Sequence, residues 1–158
     1  MIMMKRLFFL FIMVVTTVVM AMAKGDKFPE YDITGAGSGS EGTLLVKVYV
    51  YAKNVTDNDL KRAAVHGVVF RGCAGNQSGA RQPAMAPATA EADNASFCEA
   101  FFASDGLCLN YASVVAGSYD RVKTKKGYKS GAILQVDKTS LRKELEKAGV
   151  VRALSSGF

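Results

Sequence analysis

The chain has no tryptophan, one histidine, three cysteines and three prolines among 158 residues. A lone histidine, His66, excludes a multi-histidine metal centre, and without a Cys-x-x-Cys pair the cysteines lack zinc-site spacing. Cys73, Cys98 and Cys108 are odd in number, so at least one stays free or pairs outside the chain. No Gly-Lys-Ser/Thr follows a glycine-rich turn, which removes the P-loop. The stretch GSGSEG, Gly37 to Gly42, fits G-x-G-x-x-G. The residues after it, TLLVKVYVYA, alternate with a period of two, so a strand stands where a dinucleotide site needs a helix N-terminus. No cofactor and no metal are expected.

What is present first is a leader. Lys5 and Arg6 precede an apolar run from Leu7 to Met20, and Ala21-Met22-Ala23 supplies small residues before Lys24. This is the layout of a cleavable signal peptide over residues 1–23. As a helix the 14-residue run spans ~21 Å, short of a ~30 Å hydrocarbon core, which disfavours a membrane anchor. Cleavage after Ala23 leaves 135 residues, the size of one domain, with 18 basic and 14 acidic side chains, a formal +4. That excess is too mild to name a partner class, and export argues against nucleic acid. The mature chain carries no transmembrane segment by this reading.

Residues 24–42 are rich in glycine and serine and read as a flexible lead-in, from which a short extended piece around Tyr31-Asp32-Ile33 is able to dock on a sheet edge. Residues 43–158 read as a single domain. Thr43 to Lys53 is a strand with Val46, Val48 and Val50 on its core face. Thr56 or Asp57 caps a helix to about Arg71, with Leu60, Ala63, Ala64, Gly67 and Phe70 at spacings of three and four. Residues 72–92 are aperiodic and read as a long, mobile surface loop carrying Arg81, Met85, Pro83 and Pro87. A helix capped by Asp93 or Asn94 buries Phe97, Ala100 and Phe101, and residues 107–116 read as a strand. A hairpin follows, 120–124 and 130–137, with Ala132, Leu134 and Val136 inward. A final helix with Leu141, Leu145 and Ala148 ends at Gly149. The order β-α-α-β-β-β-α with a hairpin implies an α+β fold: a mostly antiparallel sheet with about three helices on one face.

Two groups of residues carry candidate chemistry. His66 lies seven residues before Cys73, so Cys73 or Cys98 with His66 is a possible nucleophile and base, although neither has an embedding motif. Cys98 with Cys108 is the favoured pair if a disulfide forms, across the turn at Asp105-Gly106; three buried thiols are the equal alternative. Arg121, Lys123, Lys125, Lys126 and Lys129 crowd one hairpin, with Tyr128 at its turn. Together with Arg81 they offer charge to an anionic partner, while lysines also protect exposed strand edges from pairing.

Leu60 to Gly72 (LKRAAVHGVVFRG) and Val136 to Phe158 (VDKTSLRKELEKAGVVRALSSGF) resemble small uncharacterised secreted proteins of Bacteroidota-type Gram-negative bacteria. The organisation is also distantly similar to α+β modules of envelope lipoproteins related to curli secretion and flagellar assembly. The resemblance covers about a quarter of the chain, contains no catalytic motif, and implies a compartment and an architecture. The expectation is an exported binding or assembly module of the periplasm or cell surface, contacting an envelope protein or an anionic envelope component. A cysteine-nucleophile enzyme and a structural subunit of a surface assembly are the competing classes.

Overall fold

A computed structural model describes residues 28–75 and 81–153. The expected leader, residues 1–23, lies outside the described residues. The chain is α+β: among the described residues five strands form one antiparallel sheet, with four helices.

The strands are β1 (Tyr31–Ser38), β2 (Thr43–Val50), β3 (Ala112–Val114), β4 (Asp120–Thr124) and β5 (Gly127–Asp137). Their order is β1-β2-β5-β3, and β4 also pairs with β5. Eleven residues long, β5 gives one edge to β2 along 130–137 and the other to β4 along 127–131 and β3 along 134–136. Helix α1 (Asp57–His66) starts at a capping box, Thr56 with Asp59, and Gly67–Arg71 continue it as a wider π turn. Short α2 (Ala90–Asp93) and α3 (Ala95–Phe101) precede a 3-10 turn at Leu107–Tyr111. Helix α4 (Lys138–Lys147) follows β5 directly and is capped by Asp137.

Alternation fixes which sheet face is buried. Val46, Val48 and Val50 of β2 and Ala132, Leu134 and Val136 of β5 are wholly buried against Leu60, Ala63, Ala64 and Val68 of the α1 segment and Leu141 and Leu145 of α4. On the other face lie Lys47, Tyr49, Tyr51 and Lys129, all only half-buried.

Three expectations change. The lead-in of residues 24–42 is not flexible throughout: Tyr31–Ser38 is a full edge strand on β2. Its glycines hide the period-two pattern, since the register shifts between Gly35 and Gly37, where Gly37 has φ 128°. Tyr31 and Ile33 dock over Gly67, where a Cβ would stand 2.7 Å from Ile33 Cδ1. The described parts of the 72–92 segment, 72–75 and 81–92, are not a free loop either. Cys73 and Gln82 pair, Gly35 N–H donates to Ala74 O, and Met85 and Ala86 N–H donate to the carbonyls of Val68 and Val69 at the helix end. Of residues 107–116, only Ala112–Val114 is strand.

Candidate functional site

The hairpin turns tightly at Lys125-Lys126. Among the described residues Arg121, Lys123, Lys125 and Lys126 form no ion pair, and all four are exposed. The guanidinium of Arg121 lies 4.4 Å from the centroid of the Tyr128 ring, which is itself exposed. A cleft of about 420 Å³ opens beside them, lined by Glu30, Tyr51, Lys53, Arg121, Lys126 and Tyr128. Arg121 and Lys123 stand opposite Ser130 and Tyr128, so their side chains share the helix-bearing side of the sheet beyond the helices.

Lys129 does not belong to this row. It opposes Val122, emerges on the open face between the rings of Tyr49 and Tyr51, and pairs with Asp32 at 3.1 Å. The hydrogen bond that Lys129 donates to Asp32 raises its pKa. Tyr51 holds the same Asp32 oxygen at 2.6 Å, and Tyr49 reaches across to Asp120, which Lys47 also approaches. These bonds lower the pKa of both aspartates. This network is self-satisfied. Arg81 is also separated from the row: it precedes Gln82, which pairs with Cys73 outside the Ala74 bridge to β1, and β1 is itself three strand spacings of ~4.8 Å from β4.

His66 has acquired partners that sequence reasoning did not supply. Tyr31 hydroxyl lies 2.6 Å from Nδ1 and Glu91 Oε1 lies 3.0 Å from Nε2. Burial raises the Tyr31 pKa far above its ordinary value, so the phenol keeps its proton and donates to Nδ1; the ring proton then sits on Nε2 and donates to Glu91. Phe28, Phe70 and Phe102 enclose the imidazole, and this burial lowers its pKa against the raising effect of Glu91. Both ring nitrogens are therefore occupied, and neither serves a cysteine.

Cys73, Cys98 and Cys108 are free and buried, so of the two alternatives, a Cys98–Cys108 bridge or three buried thiols, the structure has the second. Burial raises all three thiol pKa values, that of Cys108 to about 11, so none has the thiolate character of a nucleophile. Cys98 borders a second cleft of about 420 Å³ with Ala88, Glu91, Glu99 and Phe102, and the Glu91 charge pushes its pKa up further. Among the described residues no three His, Cys, Asp or Glu side chains gather to hold a metal ion, and no helix is long and apolar enough to cross a membrane.

The chain matches no protein-family model, no curated protein and no solved structure.

Proposed function

We infer that this chain is an exported binding or assembly module of a bacterial envelope, acting without catalysis, and that the β4–β5 hairpin contacts an anionic partner. The observation that carries the reading is the set of four uncompensated cations, Arg121, Lys123, Lys125 and Lys126, around exposed Tyr128 beside an open cleft. Charges that a fold needs are paired within it, as Lys129 is with Asp32; these four serve no internal contact of that kind. The leader-like N-terminus and the two segments resembling secreted proteins support the periplasm or cell surface as the compartment. The thiols disfavour the cysteine-enzyme alternative, because His66 is engaged elsewhere and burial keeps the sulfurs protonated.

The test compares the wild-type chain with the Lys123→Glu/Lys125→Glu variant for binding to polyglutamate and to anionic phospholipid vesicles at low and moderate salt. Both lysines are exposed, so the melting temperature should stay nearly unchanged while binding and its salt dependence weaken. Equal binding by both proteins removes the reading. N-terminal sequencing of the protein purified from an expressing bacterium checks export: a start at Lys24 is expected, and an intact Met1 refutes it.

A further inference from the structure

The hairpin offers more than charge, because β4 has an open edge. It pairs with β5 alone among the described strands, from Asp120 opposite Gly131 to Thr124 opposite Gly127. In a hairpin closed at Thr124 and Gly127 by a two-residue turn, that closing pair is hydrogen-bonded, and alternation makes Val122 with Lys129 and Asp120 with Gly131 hydrogen-bonded pairs as well. The odd positions of β5 consistently face this edge: Ile133 O accepts from Val115 N–H further along it. The peptide groups of Arg121 and Lys123 therefore point away from the sheet. Among the described residues only the Arg121 N–H of these groups has a contact, with the exposed carboxylate of its neighbour Asp120.

The side chains along this edge specify what fits. A strand added antiparallel to β4 would form hydrogen-bonded pairs at Arg121 and Lys123, and its residues there would share the face carrying those two cations. Its intervening residue would stand directly opposite Val122, a half-exposed apolar side chain. The complementary segment is acidic at alternate positions with an apolar residue between. A second copy of the chain does not fit: antiparallel pairing of β4 with itself about Val122 sets Arg121 opposite Lys123 on both sides, and like charges directly opposed are destabilising.

We propose that β4 receives an extended, alternating acidic and apolar segment of a partner protein as an added antiparallel strand, a mode in which main-chain hydrogen bonds supply affinity and Arg121 and Lys123 supply selectivity. This rests on the reading of the hairpin as an anionic contact, and makes that contact a backbone-directed one.

The experiment is fluorescence anisotropy of the full chain with a labelled, acetylated Glu-Val-Glu-Val-Glu peptide and two backbone-methylated analogues. In the antiparallel pairing the glutamate N–H groups face β4 and the valine N–H groups face solvent. Methylating the glutamate nitrogens should weaken binding about tenfold or more, while methylating the valine nitrogens leaves it nearly intact. The Arg121→Glu/Lys123→Glu variant should lose the parent peptide. If both analogues bind like the parent, the contact is charge alone: strand addition is overturned and the anionic-contact reading stands. If the parent peptide fails to bind while polyglutamate still binds in a manner sensitive to Lys123→Glu/Lys125→Glu, strand addition is likewise overturned. Loss of both probes overturns the two readings together.

Discussion

Tyr49 and Asp120 meet across a residue that has no side chain: the phenol donates to the Asp120 carboxylate over Gly131, the β5 residue that opposes them both. A Cβ at Gly131 would lie 2.3 Å from Val48 O and 2.6 Å from Tyr49 Cδ1. Gly131→Ala must therefore displace backbone in the middle of the sheet as well as the Tyr49 ring. It should cost about 2 kcal/mol or more, within the range of severe single substitutions, and shift the urea midpoint downward without loss of cooperativity.

Stability should fall on mild acidification, and His66 should be the reason. Burial lowers its folded pKa below the ordinary 6.5, so above that pH both states are neutral; as pH falls through it, the unfolded chain takes up the proton first and is favoured. Protonation also places a second donor against the Tyr31 hydroxyl, which has been donating to Nδ1. It is the chain's single histidine, so melting temperatures measured at pH 7.5 and 5.5 should differ in the wild type and draw together in His66→Gln. An unchanged difference in the variant would assign the effect elsewhere.

The thiols should react slowly. At neutral pH in the native chain, iodoacetamide should alkylate Cys73, Cys98 and Cys108 more slowly than free cysteine, with Cys108 slowest because its pKa is pushed to about 11. Unfolding without reductant should release three titratable thiols; a count of one would establish a disulfide.

Thr56 holds the start of α1 in two directions, accepting from Asp59 N–H while Asp59 accepts from Thr56 N–H. Thr56→Ala should cost about 1 kcal/mol and lower the thermal midpoint by a few degrees in calorimetry.

What the sequence made legible depended on uninterrupted period. The valines of β2, the alternation of β5 and the Leu141–Leu145 stripe of α4 each report their buried face directly, and the α+β class follows from them. Tyr31 and Ile33 report a face too, but the bulge at Gly35–Gly37 cuts the pattern off, and the pocket that receives them is the missing Cβ of Gly67, far away in the chain. The partners of His66 were hidden for a related reason: Tyr31 and Glu91 lie 35 residues before and 25 after it, and only the packing of β1 and α2 against α1 brings them together. Proximity in sequence groups Lys129 with Arg121 and Lys123. Its position opposite Val122 sends it to the other face, where Asp32 was waiting on a strand the glycines concealed.

The late position of β5 sets an order of events for a growing chain. β2 has no second neighbour, and β3 and β4 have no neighbour at all, until residues 127–137 exist to lie between them. A chain that has emerged only as far as α3 has β1 and β2 as a lone two-stranded ribbon, which is marginal in water, with α1 lacking the sheet on which to bury Leu60 and Val68. β2 is joined to the central β5 across eighty residues or more, a separation that slows closure. The polypeptide therefore cannot complete its sheet, and so cannot commit to its shape, until nearly all of it has been made.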